Sequence, residues 1–286
     1  MLIKRLPNFP DDTGTALNLF VIYISLPALV LLKIPELTFS RELLVPAIMP
    51  WIMLLLSSAL VLLLSKTLRW DRPTTGCLLL IIPLGNTSFL GIPMVQAFFG
   101  EGAVPYALVY DQLGTFLGLA TYGSLILALY GTDESKPSIQ STIKKIITFP
   151  PFIALILAFA LKSFAYPATM ITLLKTMSAT LIPLVMVAVG FQLTLKLSKD
   201  VVSQLSIGLG IKLIIAPLAA LFLCDIFGLQ GEVVQVSVFE AGMPPMVSAG
   251  ALAILANLSP ALTAALVGIG ILLSFATLPV LYQLLI

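Results

Sequence analysis

A chain of 286 residues that is 59% hydrophobic and only 10% charged cannot cover a water-facing surface, because soluble domains carry about 25% charged residues. It reads as an integral membrane protein in contact with a lipid bilayer, and apolar runs of about 20 residues favour helices over barrel strands. A net charge of +2 dispersed along the chain, with no histidine, excludes a nucleic-acid-binding stripe and any imidazole metal ligand or proton shuttle.

The chain opens with Lys4 and Arg5, but Pro7-Asn8-Phe9-Pro10-Asp11-Asp12 follows, which is not the apolar stretch of a signal peptide. Hydropathy predicts nine spans, at 14–33, 41–65, 74–99, 103–130, 144–161, 168–193, 201–224, 232–255 and 260–283. The first carries Asn18 and Tyr23 ahead of Leu26-Pro27-Ala28-Leu29. The third is interrupted by Gly85-Asn86-Thr87-Ser88-Phe89-Leu90-Gly91-Ile92-Pro93. Asp111 and Gln112 lie in the fourth, and Lys175, Ser178, Thr180 and Gln192 in the sixth. Lys212 stands near the middle of the seventh. The eighth is interrupted by Glu240-Ala241-Gly242-Met243-Pro244-Pro245, with Gln235 one to two turns earlier. Cys77 and Cys224 lie in or near apolar segments and read as buried free thiols.

Charge sets the orientation. Lys4, Arg5, Lys66, Arg69, Arg72, Lys136, Lys144, Lys145, Lys196 and Lys199 fall on the side of residue 1, and Lys33, Arg41 and Lys162 on the other. Ten against three places the N-terminal side in the cytoplasm of an inner-membrane protein, and nine spans leave the C-terminus outside.

The halves repeat. Leu26-Pro27-Ala28-Leu29 in the first span has a counterpart in Ile182-Pro183-Leu184-Val185 in the sixth, and the interruptions fall in the third and the eighth. Both separations are five spans, an odd number, which gives the copies opposite topology, as in the inverted repeats of secondary transporters. The expected division is a first repeat over 1–130 with four spans and a second over 131–286 with five. The opening helix of the first repeat is absent, through loss in an ancestor or a late chain start.

Unwound backbone at membrane depth is tolerated only where it is buried in protein or lines a cavity, so the two interruptions are the candidate substrate site. Asn86, Thr87 and Ser88 supply polar side chains there, and half-helix ends supply partial charges that suit an anion or a bound cation. Glu240 is a carboxylate at membrane depth, costly and therefore a candidate for binding a proton or a cation or for capping the broken helix; a later start of span eight would bring it nearer the surface. Gln235 can share its cavity, Asp111 is a candidate coupling carboxylate or lysine partner, and Lys212 lies too deep to snorkel, unlike Lys175. Asn18 and Tyr23 can line the same space, as can Ser178 and Thr180, although hydroxyls equally satisfy their own helix backbone. No phosphate-loop glycine pattern, Gly-x-Ser-x-Gly or His-Glu-x-x-His is present, which argues against an ATP-driven pump or a membrane hydrolase.

Three stretches carry a family resemblance: Gly85 to Pro93 followed by Phe99-Gly100, Leu17-Asn18 through Tyr23 to Leu26-Pro27-Ala28-Leu29, and Glu240-Ala241-Gly242-Met243-Pro244-Pro245. In these the chain resembles the auxin efflux carrier family of membrane transport proteins, over nearly its whole length. The resemblance implies an all-α fold like that of the bile acid sodium symporters, with ten helices in two inverted five-helix repeats. A panel beside a core is implied, with spans three and eight crossing as discontinuous helices in the core. Spans one, five and six would form the panel. The missing first helix departs from that pattern and leaves the domain packing and a homodimer contact open. Animal bile acid transporters have nine helices too.

Carried over by motif, Asn86, Thr87, Ser88 and Pro93 form the first-half site, and Glu240, Gly242, Met243, Pro244 and Pro245 the second. The family moves organic anions, auxin and malate or malonate-type carboxylates among them. The acidic-plus-Gln-Asn sodium cluster of the bile acid carriers has no clear match, so sodium and proton both stay open as coupling ion. The expected function is secondary transport of a small organic anion by elevator-like alternating access, without enzymatic activity or a cofactor. The alternatives are a sodium-coupled bile-acid-like carrier and a non-transporting membrane sensor.

Overall fold

In the computed structural model of this chain, the described residues are 10, 12–37, 41–131, 139–192 and 201–286. They are nearly all helical. In chain order the helices are α1 (Thr13–Glu36), α2 (Arg41–Leu68), α3 (Arg72–Ile81), α4 (Thr87–Phe99), α5 (Glu101–Tyr130), α6 (Ile139–Ile147), α7 (Pro150–Ala160), α8 (Ala168–Phe191), α9 (Val202–Ile226), α10 (Glu232–Ala241), α11 (Val247–Leu255) and α12 (Pro260–Leu285). Six of these, α1, α2, α5, α8, α9 and α12, are long and apolar enough to cross a membrane. Lys4, Arg5, Lys136, Lys196 and Lys199 of the charge argument lie outside the described residues. So does the side chain of Gln192.

Prolines shape the helices. A proline has no N–H and its ring collides with the carbonyl four residues earlier. At three places a wider π turn absorbs that collision: Val21–Ser25 before Pro27, Thr87–Gly91 before Pro93, and Ile211–Ile215 before Pro217. In each, the carbonyl at risk, on Tyr23, Phe89 or Leu213, sits inside the π turn. A further π turn, Asp111–Phe116, interrupts α5 without a proline. Its Leu113 carbonyl accepts a hydrogen bond from the Trp51 indole at 3.0 Å.

The expected fifth span, 144–161, is two elements. α6 ends at Ile147, and α7 begins at Pro150. Consecutive prolines at 150 and 151 cannot lie inside a helix but fit its first turn, so the chain restarts there. The expected third and eighth spans are each a pair of short helices, α3 with α4 and α10 with α11, separated at residues 82–86 and 242–246.

Helices α7 and α8 each pack on α1. The Ser25 and Thr180 hydroxyls, 2.7 Å apart, join α1 to α8. Helices α2, α3, α5, α10, α11 and α12 pack with α9 into a second, larger group, with α4 held against α5. The two groups meet where α8 touches the first turn of α4 and where α1 and α7 touch α5. The outer face of α2 leaves Leu44, Ile48, Ile52, Leu55, Leu62 and Leu63 exposed, a patch that a bilayer solvates and water does not. Cys77 and Cys224 are buried and free.

Candidate functional site

The two breaks meet each other. Gly85 and Pro245 form an antiparallel backbone bridge. The Asn86 N–H donates to the Pro244 carbonyl at 2.7 Å, and the Met246 N–H donates to the Leu84 carbonyl at 3.0 Å. Proline is informative here, because Pro244 and Pro245 offer carbonyls but no N–H, so neither can continue α10. Extended backbone deep in an apolar protein leaves polar groups that helices would have satisfied, and each break satisfies those of the other. Four half-helix ends converge at this point: the C-termini of α3 and α10 and the N-termini of α4 and α11.

A polar cluster, buried except for the partly exposed Ser88, surrounds the crossing. Asp111, in the π turn of α5, accepts from Thr87 Oγ1 at 2.6 Å and Ser88 Oγ at 2.5 Å on one oxygen, and from Gln112 Nε2 at 2.6 Å on the other. Its charge is thereby tied to the first turn of α4. Glu240 is fully buried and neither of its carboxylate oxygens has a hydrogen-bond partner. Asn86 Nδ2 and Gln112 Oε1 are likewise buried and unpartnered. A buried polar group left unpaired costs about 1–3 kcal/mol, so these unpartnered atoms on the crossing helices and on α5 point to a region that binds something.

Two glycines admit the charges. A Cβ on Gly91 would lie 2.4 Å from Glu240 Oε2 and 2.7 Å from Oε1, so only glycine lets the carboxylate rest on α4. A Cβ on Gly85 would lie 3.1 Å from Lys212 Nζ. The first break is thus bracketed by an ammonium at one end and a carboxylate at the other. Lys212 is buried in the π turn of α9, and its ammonium donates to the Ala241 carbonyl at 3.4 Å.

A cavity of about 190 Å³ opens beside the crossing, between the two helix groups. Its polar wall is Asn86, Ser88, Asp111 and Ser248; its apolar wall includes Ile22 and Leu26 of α1, Phe89, and the rings of Phe116 and Phe149, which stack at 4.0 Å. Apart from Asp111 of α5, the polar wall belongs to the starts of α4 and α11, so both helix N-termini, with their partial positive charge, meet this space.

Of the residues expected to form a site, Asn86 and Ser88 line this cavity directly, and Thr87 supports Asp111. Pro244 and Pro245 act through backbone, and Met243 is buried against Gly85. Gly242 serves packing, since a Cβ there would lie 2.7 Å from Leu281. Pro93 is buried and follows the π turn of α4. Glu240 and Lys212 line a second, smaller hole, and Gln235 and Asn18 line neither. Gln235 is five positions before Glu240, about 140° around the helix, and its amide donates to the Leu285 carbonyl at 2.6 Å instead. Asn18 is half-buried on α1, four residues ahead of Ile22, and is not among the cavity-lining residues. Lys175 and Ser178 line a separate cavity of about 490 Å³ with Lys33, Gln96 and Glu101.

Ser248, Met246, Phe116 and Phe149 were not among the expected residues. Ser248 has a legible signal: it is the second residue of α11, as Ser88 is the second residue of α4. Superposing the two break motifs by where each helix resumes pairs these serines. The phenylalanines carry no such mark, because an aromatic ring in an apolar span is ordinary.

Comparison with known proteins gives a consistent result. Residues 1–282 match the family described as "Membrane transport protein". An uncharacterized transporter of Methanothermobacter thermautotrophicus is 26% identical over 97% of this chain and 91% of its own length. An uncharacterized transporter of Methanocaldococcus jannaschii is 29% identical over 82% of this chain and 77% of its own. A protein of Rhizobium meliloti named "Putative malonate transporter" is 25% identical over 85% of this chain and 78% of its own.

Proposed function

The chain belongs to the membrane transport protein family, of auxin-efflux-carrier type, and from that premise we propose that it is a secondary transporter for a small organic anion, bound at the crossing of the two broken helices. The observation that carries this reading is the cavity in which the N-termini of α4 and α11 meet with Asn86, Ser88 and Ser248. Aligned N–H groups and partial positive charge favour a carboxylate, while the Phe116–Phe149 stack and the α1 wall favour a small apolar body. Asn86 Nδ2, buried without a partner, is the donor best placed to read a carboxylate oxygen. Asp111, held by three hydrogen bonds, keeps the first turn of α4 in position. Malonate is the first anion to test, given the name of the Rhizobium meliloti relative.

The fold suits alternating access. The smaller group, α1, α7 and α8, would form a panel, and the larger group, which holds both crossing helices, the moving core. In this reading the chain is a nine-span inverted repeat in an inner membrane, with its N-terminal side cytoplasmic. The matched breaks at 82–86 and 242–246 support the repeat.

Uptake of labelled malonate, malate, indole-3-acetate and a bile acid into proteoliposomes tests the proposal. Flux of at least one small carboxylate, lost in Asn86→Ala, is the expected result. Equal flux in the wild type and Asn86→Ala would overturn the site, and no carboxylate flux would overturn the substrate class.

A further inference from the structure

Lys212 lies away from the anion cavity, yet it is among the most costly side chains in the protein. It is buried at membrane depth, where an ammonium persists only with compensating negative charge. That charge surrounds it. The ammonium donates to Ala241, whose carbonyl belongs to the C-terminal end of α10, and it lies against Gly85, in the stretch leaving the C-terminus of α3. Helix C-termini carry partial negative charge and favour cations. Glu240, with both oxygens unpartnered, shares with Lys212 a hole of about 10 Å³ that Thr87, Tyr110 and Thr115 also line. That is room for about one water molecule. Among the described residues the contact ion pairs are Lys33 with Glu36 and Lys33 with Glu101, so Lys212 and Glu240 face each other across the hole without closing into a pair.

Two helix C-termini and a free carboxylate make an environment built for a cation, and the cation it already contains is a side chain. Resting on the transport reading above, we infer that the Lys212 ammonium is a tethered substitute for a co-transported inorganic cation. It keeps the two breaks charge-balanced while an anion binds at the N-terminal side, so the carrier needs no sodium. Lys212 is a positioning residue in this account: it acts through the carbonyl ends of α3 and α10 and through Glu240, not by touching the anion. The π turn before Pro217 lets α9 present it there.

The test compares purified wild type with Lys212→Ala and Lys212→Gln. Thermal melting, without any transported anion, is measured in sodium, methylammonium and choline chlorides at equal ionic strength. Malonate uptake is measured in the same salts. The wild type is expected to melt and transport alike in all three. Lys212→Ala, with the side chain's space vacated, is expected to lose uptake by about tenfold or more, equivalent to 1.4 kcal/mol, and to recover melting temperature and part of the flux in methylammonium or sodium. Lys212→Gln fills the space without charge; it should lose the same flux and respond to no cation. If Lys212→Ala does not fold, the wild type and Lys212→Gln decide. Sodium-dependent melting or uptake in the wild type would overturn the inference, as would full flux in either variant, or a folded Lys212→Ala indifferent to cations. Sodium-dependent carboxylate flux in the wild type would leave the transport reading standing while this one fell. Lys212→Ala melting restored by methylammonium or sodium, with no carboxylate flux in the wild type, would keep the tethered cation and overturn the carboxylate reading.

Discussion

At the scale of single residues, the site is made by close approach of charges to backbone. Gly91 and Gly85 are the sharpest case. Gly91→Ala drives a methyl group into the Glu240 carboxylate at 2.4 Å. Overpacking of this kind costs about 1–3 kcal/mol, and here it also displaces the carboxylate. Loss of transport with a lowered melting temperature is expected. Gly85→Ala meets the far end of the long Lys212 side chain at 3.1 Å and Thr87 and Met243 at ordinary contact distance, and should be milder in both measurements. The reverse order would show that Glu240 does not rest on α4.

Asp111 separates charge from hydrogen bonding. Asp111→Ala leaves the buried Thr87 and Gln112 donors, with Ser88, without their acceptor, at about 1–3 kcal/mol for each buried group. In Asp111→Asn the remaining oxygen still accepts from Thr87 and Ser88. The Gln112 amide, whose Oε1 is otherwise unpartnered, turns to accept from the new amide. Denaturation should therefore find Asp111→Asn within about 1 kcal/mol of the wild type and Asp111→Ala well below it. Equal stability of the two variants would contradict the network.

Residue chemistry was partly legible in the sequence. Asn86, Thr87, Ser88, Glu240, Asp111 and Lys212 stand out because polar side chains in apolar spans are rare, and all of them gather at the crossing. Gln235 stood out for the same reason and is occupied elsewhere, since its bond to Leu285 joins residues fifty positions apart. Spacing within one helix cannot report such a contact.

At the scale of the element, prolines and π turns set the direction of side chains. Pro217→Ala restores an N–H and removes the ring's collision with the Leu213 carbonyl, so α9 can tighten its π turn into ordinary helix. Losing one residue from a turn rotates what precedes it by about 100°, which would carry Lys212 away from Ala241. Melting at or above the wild-type temperature, together with reduced transport, is the expected pair of results for Pro217→Ala. Unchanged transport would mean the π turn does not place Lys212. The breaks themselves were legible as Gly and Pro clusters, and so was the existence of each long helix. The start of α7 was not, because hydropathy runs on through residues 144–149 while Pro150 resets the backbone. The π turns were also hidden, since a wider turn leaves little compositional trace.

At the scale of the whole molecule, the cavity lies between two groups of helices, and the proposed alternating access requires that they move relative to each other. The Lys33–Glu101 contact, 3.2 Å long, joins α1 of the smaller group to α5 of the larger. Cysteines placed at positions 33 and 101 and joined by a short bifunctional reagent should slow transport by about tenfold or more while leaving anion binding in place. The native Cys77 and Cys224 are buried and offer little competing reaction. Full-rate transport after complete cross-linking would exclude movement between the groups at this contact. The grouping follows from which helices touch, a property of tertiary packing that hydropathy does not carry. The paired interruptions, by contrast, are visible in the sequence because each is a cluster rather than a single proline.

The crossing is proposed to bind an organic anion through Asn86 and the two helix N-termini. Thermal shift of the purified protein across mono- and dicarboxylates, indole-3-acetate and bile acids, beside the Asn86→Ala variant, tests it most directly. Stabilisation by a small carboxylate that disappears in Asn86→Ala, with the ligand-free melting temperatures unchanged, is the predicted result. Stabilisation that persists undiminished in Asn86→Ala, or by no anion at all, would contradict it.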